Sequence, residues 1–293
     1  MNNFGKKELA SRQNSLLPIM NKWKKAFETT PSLPCSLESL AILCETEDAL
    51  VLEHDDKLVF NLPRYAYPSL VKRILDYIPA LNWVGVQASC SPCGEIYYYD
   101  SNYLKTESFI CKTRKQLGSI TQHAMAFEHL YYAHELDRQC DIIDSFSQQV
   151  GTQTTNEIVQ DLTRNAGIKH NIALNEKNIE LVCNEIEDQC GHKANWVAMN
   201  SDTAYRLYGL RYTNQENTLS FGYINAGNID GRDVYINPDH RNNILIGSKK
   251  DDHRAGYFYC PYILSFHMKD VGNNSFTRYG KTMVNNKFYG VIG

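Results

Sequence analysis

"AGYFYCPYILSF", residues 255 to 266, opens on two small residues and then carries five aromatic rings, a cysteine and a proline without a single charge. A run of that length, rich in aromatic and branched side chains, predicts a strand inside the protein rather than on its surface. The expected arrangement buries alternate side chains against a helix, with Cys260 as a small apolar filler beside Pro261.

The helix for such a strand to lie on is also visible. Leu136, Cys140, Ile143, Phe146, Val150, Ile158, Leu162 and Ala166 recur three or four residues apart, with Thr154 filling the one gap. This is one apolar stripe on one helix, on the order of 45 Å long at 1.5 Å per residue if unbroken. Gly151 is its weak point, costing roughly 1 kcal/mol against alanine.

Elsewhere the signals alternate. Leu70, Val71, Ile74, Leu75 and Ile78 mark a helix between Pro68 and Pro79, after one or two short helices around Leu40 to Val51. "NWVGVQ" reads as a strand, "SPCG" as a turn and "EIYYYD" as the strand returning beside it. Asn175 caps a helix that runs through Ile179, Val182, Cys183 and Ile186 to Gly191, and a second capped helix starts at Ser201. Strands then follow one another to the C-terminus. Helices and strands without strict alternation point to an α+β fold.

The composition is that of a globular chain: 293 residues, 43% hydrophobic and 22% charged, with a net charge of −3. That charge is unevenly spread. Lys6, Lys7, Arg12, Lys22, Lys24 and Lys25 face only Glu8 and Glu28, so the first thirty residues carry +4 and the remainder −7. The expectation is a solvated basic arm whose one apolar patch, Leu16 to Trp23, packs on an adjacent subunit. No apolar run reaches the roughly 18 residues of a membrane span, and no signal-peptide core follows the N-terminus. Nine irregularly spaced cysteines read as thiols in a reducing compartment.

Catalytic signals are weak. Cys90 and Cys93 form a CxxC, which suits a thiol or zinc site, but there is no second CxxC and no HExxH to complete four ligands. Phosphate-binding glycine loops and a nucleophile elbow are missing, and Cys183, His123 and His192 have no spacing that makes them a nucleophile and base. The expectation is a protein without an active site, cofactor or metal, whose role is association.

Two segments sharpen this. "VGVQASCSPCGEIYYYD" resembles the first signature of the T-even-phage-like major capsid proteins at Val86, Gln87, Pro92, Gly94, Ile96 and Tyr97. "AGYFYCPY" resembles their C-terminal strand at Ala255, Gly256, Tyr259, Pro261 and Tyr262, and "TRYG" their last element at Thr277, Arg278, Tyr279 and Gly280. The resemblance implies the HK97-type capsid fold: an N-terminal arm (1–60), the start of a peripheral domain (61–98), a short E-loop (99–120) without a large insertion, a spine-helix region (121–171), an axial domain (172–248) and strands returning to the peripheral domain (249–293). It also implies self-association into hexamers and pentamers of an icosahedral shell, non-specific contact with packaged DNA, and portal, scaffold, vertex and decoration proteins as partners. Localisation would be the virion, after assembly in the host cytoplasm. A vertex protein of the same fold, or a soluble thiol or zinc enzyme using Cys90 and Cys93, are the alternatives. Arg278 is expected to matter more than Lys249.

Overall fold

The computed structural model describes residues 3–28, 33, 35–53, 67–89, 93–100, 103–110, 115–116, 151–152, 154–212, 222–241, 243–270, 273–284 and 288–293. Three helices open the chain: α1 (Asn3–Phe27), α2 (Leu37–Glu53) and α3 (Tyr67–Asp76). The basic arm is therefore mostly helix, and Leu16, Ile19, Met20 and Trp23 of its apolar patch pack within the subunit, while Leu17 is exposed. Leu16, Trp23 and Phe27 recur at helical spacing and are buried in one core with the apolar run Leu40 to Cys44 of α2. Glu45 fastens the contact, its Oε2 accepting from Trp23 Nε1 at 2.8 Å and from Lys22 Nζ at 2.6 Å. Counting charges hid the stripe, because the lysines lie between its members. Lys24 and Lys25 are exposed.

Residues 154–165 form α4, which with the helical residues 151–152 is the described part of the expected spine helix; Leu136 to Val150 lie outside the described residues. Ile158, Leu162 and Ala166 are buried, as the stripe requires. Gly151 is a fitted position rather than a flaw, since a Cβ there would collide with the main chain of Tyr77.

Two larger sheets and two two-stranded ladders make up the described β-structure, one of the ladders pairing β10 (Lys249–Asp251) with β11 (Arg254–Ala255). In the first larger sheet the order is β1 (Gly85–Val86), β12 (Tyr257–Asp270), β13 (Asn273–Val284), β4 (Lys115–Gln116). β1 runs parallel to β12, and β12 antiparallel to β13. The hairpin expected between "NWVGVQ" and "EIYYYD" does not form. β2 (Cys93–Asp100) pairs instead with β3 (Tyr103–Ile110), an antiparallel ladder from Cys93↔Ile110 to Asp100↔Tyr103 that leaves β1 to a strand more than 170 positions away. This hairpin straddles the expected boundary at 98/99.

The second sheet has the order β5 (Ile168–His170), β14 (Tyr289–Ile292), β9 (Ile244–Gly247), β6 (Trp196–Met199), β8 (Arg232–Ile236), β7 (Ile224–Ile229). The helix α5 (Glu176–Cys190) lays Ile179, Val182, Cys183 and Ile186 on it. Both ends of α5 are as the sequence predicts: Asn175 accepts from the Asn178 amide, and Gly191 takes a left-handed φ of 75°. The short helix α6 (Ser201–Tyr208) is capped in the same way by Asn200 and Gly209. β14 was expected to return with 249–293 to the peripheral domain, yet it sits inside this sheet between β5 and β9. Gly290 allows it, because a Cβ there would strike Val182 of α5. The expected boundaries at 171/172 and 248/249 thus cut through one sheet. The two sheets share a core around Trp83, stacked on Trp196 with ring centres 5.1 Å apart.

Candidate functional site

The first turn of β12 is buried on both faces, where alternate burial was expected. Tyr257 and Tyr259 enter the large core with Ile158 and Leu162, while Phe258 and Cys260 enter a small cluster with Ile96 and Ala255. Contact with α4 is direct, since the Tyr257 hydroxyl donates to Asp161 Oδ2 at 3.1 Å. Cys260 is fully buried, as a filler should be.

Around this strand several distant segments are knotted by side chains that bond to main chain. Gln87 is the centre. Its Nε2 donates to the carbonyls of Tyr97 (2.6 Å) and Asp252 (2.8 Å), and its Oε1 accepts from the Tyr97 amide at 3.0 Å. Both N–H donors and one acceptor position of this buried carboxamide are spent on joining the end of β1 to the hairpin and to the turn before β12. The Gln87 amide itself donates to the Tyr259 carbonyl at 3.1 Å, and that of Ser89 to Pro261 at 2.9 Å.

Further residues close the junction. Ser39 of α2 donates to the Val86 carbonyl and accepts from the Ala88 amide. Asp252 Oδ1 accepts from the Val86 amide at 3.1 Å. His253 Nδ1 lies 3.0 Å from the Tyr97 carbonyl, which can only accept, so that nitrogen carries the hydrogen. Arg12 of α1 reaches the hairpin root: Nη1 donates to the Glu95 carbonyl at 2.9 Å, Nη2 to that of Ala88 at 3.2 Å, and the guanidinium stands 5.3 Å from the Tyr97 ring centre. Gly85 fits where a Cβ would press on the Asp252 carbonyl at 2.8 Å.

The structure thus brings together Val86, Gln87, Ile96, Tyr97, Ala255, Gly256, Tyr259 and Pro261. Tyr262 lies on β12, Thr277, Arg278, Tyr279 and Gly280 on β13, and the two motifs face each other in the ladder, Pro261 opposite Gly280. Gly94 lies on β2 opposite Phe109. Pro92 and Cys90 are outside the described residues. Lys249 is no indifferent comparator for Arg278: its Nζ donates to the Leu81 carbonyl at 2.7 Å and stands 3.3 Å from Asp252 Oδ1. Arg12, Ser39, Asp252 and His253 escaped sequence reading, because their partners are main-chain atoms far away in the chain and no spacing announces them.

Among the described residues no group of three or more His, Cys, Asp or Glu is placed to hold a metal, and no helix is long and apolar enough to cross a membrane. The chemistry of the junction is attachment: it fastens a two-stranded hairpin, an N-terminal helix and a buried strand to one another.

Residues 175–292 match the family model of the major capsid protein Gp23. This segment is Gp23-like. The expected resemblance to the T-even-phage-like major capsid proteins is borne out over these residues, and the mixed helices and strands are of the expected α+β class. The Gp23-like segment holds α5, five strands of the six-stranded sheet, β12 and β13; Gln87 and Tyr97 lie outside it. Among solved structures, the chain is similar to a virus-like particle protein from Pyrococcus furiosus (8% identity, 77% of this chain and 96% of that one, TM-score 0.48). It is similar also to the SrpI encapsulin of Synechococcus elongatus (8%, 72% and 85%, 0.43) and to a chain of Mycobacterium phage Che8 (12%, 69% and 82%, 0.39). No curated protein matches.

Proposed function

We propose that the protein is a major capsid subunit of a tailed phage, which associates with copies of itself into hexamers and pentamers and closes an icosahedral shell around double-stranded DNA. The Gp23 match over residues 175–292 carries this reading. Closing a ring requires one patch of a subunit to meet a different patch of the next. The β2–β3 hairpin suits that task, as its two strands pair only with each other among the described residues. In this reading the hairpin is the E-loop, α4 belongs to the spine and the six-stranded sheet to the axial domain. Exposed Lys24 and Lys25 meet DNA phosphates without sequence preference. Portal, scaffold, vertex and decoration proteins are further partners, with assembly in the host cytoplasm and the virion as product.

Electron microscopy and size-exclusion chromatography of the expressed protein, combined with metal analysis, test the proposal. Shells or rings without zinc are expected. A small species carrying one zinc per chain would favour the thiol alternative at Cys90 and Cys93.

A further inference from the structure

The helices α5 and α6 pack into one core on the six-stranded sheet, through Ile179 and Val182 of the first and Ala204 of the second. Beyond that core they differ in charge. α5 carries Glu176, Glu180, Glu185, Glu187 and Asp188 against the single Lys177, a net charge of −4. From α6 to Tyr212 the chain carries Arg206 and Arg211 against Asp202, a net charge of +1. Glu180 is paired with Arg232 and Glu185 is bonded to His170. Among the described residues Glu176, Glu187 and Asp188 have no ion pair, and neither have Arg206 and Arg211. Each helix also exposes one large apolar side chain, Leu181 at 42% and Tyr205 at 53%. The Arg211 guanidinium stands 5.4 Å from the Tyr205 ring centre, and Tyr205 and Arg206 border a groove of about 610 Å³. An exposed tyrosine between two arginines is the composition that dominates binding energy at interfaces.

Charges of opposite sign that stay unpaired within one chain can meet between two. We infer that the corner formed by Tyr205, Arg206 and Arg211 docks on the outward face of α5 in a second copy of the chain, Tyr205 against Leu181 and the arginines against Glu187 and Asp188. Leu181 and Asp188 are seven residues apart, which places them on one side of α5, about 10 Å from each other along its axis. That spacing lets one corner meet both the apolar and the acidic contact. Asn175 and Gly191 fasten the ends of α5, and Asn200 and Gly209 those of α6, so both surfaces are presented without the cost of ordering a loop. Complementary charge then sets which surface meets which, and in what register. Two different patches in contact make a head-to-tail interface, as a closed ring of copies requires. The inference rests on the shell-subunit reading and deepens it by naming the two surfaces.

The test replaces Tyr205 by the photo-cross-linking residue benzoylphenylalanine in the full-length chain and assembles it from a mixture of isotopically heavy and light copies. Cross-links that join heavy to light peptides and land on α5 are expected. Rings or shells whose cross-links land elsewhere, or within one copy, overturn the pairing and leave the shell reading standing. Charge reversal supplies a second readout. Arg206→Glu with Arg211→Glu is expected to lower the yield of assembled protein several-fold with little change in the melting of the unassembled subunit, and so is Glu187→Lys with Asp188→Lys. The chain carrying all four substitutions is expected to regain assembly, because each reversed corner then meets a reversed helix. No loss in either double variant, or no recovery in the fourfold one, overturns the pairing. A wild type that stays a monomer at every concentration sinks the shell reading and the pairing together.

Discussion

The carboxamide of Gln87 and the main chain of Tyr97 are joined at two points, Nε2 to the carbonyl at 2.6 Å and the amide to Oε1 at 3.0 Å. One side chain thereby does what a strand ladder would otherwise do. β1 stays beside β12, the hairpin stays attached to both, and neither must pair with the other.

Gln87→Ala should accordingly cost far more than an exposed amide would. It withdraws the donor from the Asp252 carbonyl and the acceptor from the Tyr97 amide, and orphaned buried groups cost roughly 1 to 3 kcal/mol each. A loss of about 2 to 4 kcal/mol is expected in denaturant unfolding. A change below about 0.5 kcal/mol would show that water replaces the carboxamide without cost.

Removing residues 1–28 is expected to destabilise the subunit itself, because Leu16, Trp23 and Phe27 cover the apolar run of α2. Trp23→Ala alone should cost roughly 3 kcal/mol or more, the range for truncating a buried aromatic ring. Thermal melting of the two variants decides it. Unchanged melting with altered shells would return the arm to a purely intersubunit role.

Arg12→Ala tests the tether between α1 and the hairpin root. Its hydrogen bonds to the Glu95 and Ala88 carbonyls are charge-assisted, the first exposed and the second half-buried, worth roughly 1 to 2 kcal/mol together. Limited proteolysis should cut the N-terminal 30 residues several-fold faster in the variant, with little change in global melting. Equal cleavage rates would mean that the α2 contact alone holds the helix.

Gly151→Ala separates propensity from packing. Propensity alone predicts a gain of roughly 1 kcal/mol, whereas the Tyr77 main chain leaves no room for the methyl group. A net loss of about 1 to 3 kcal/mol is expected, and a stabilised variant would refute the contact.

His240 supplies a pH dependence. Its folded pKa, pushed down to about 4 by burial, lies below the unfolded value near 6.5. Above pH 6.5 the ring is neutral in both states and contributes nothing. Between 6.5 and 4 only the unfolded chain takes up the proton, so stability falls by on the order of 3 kcal/mol and then levels off. His240→Gln should flatten that window of the stability profile, and an unchanged slope there would assign the acid sensitivity to other groups.

Local chemistry was legible in the sequence, and the reason is that it depends on neighbours within four residues. Asn175 and Gly191 bound their helix, the stripe of Ile158, Leu162 and Ala166 is buried, and "AGYFYCPY" is a strand with Cys260 inside it, because caps, periodicity and apolar runs act over one or two turns. The Gp23 match adds that residues 175–292 were recognisable as a pattern of such local elements. Strand partners were not legible. "NWVGVQ" and "EIYYYD" carry the composition of two adjacent strands, and only the fold shows that one pairs with Phe258 and Tyr259 and the other with Tyr103 to Ser108. Pairing depends on which segments reach one another in space, and strands of similar composition offer the same hydrogen bonds to any partner. For the same reason Arg12, Ser39, Asp252 and His253 gained their roles only in the folded chain: each serves a main-chain atom, which every residue possesses, so nothing in the sequence marks the partner.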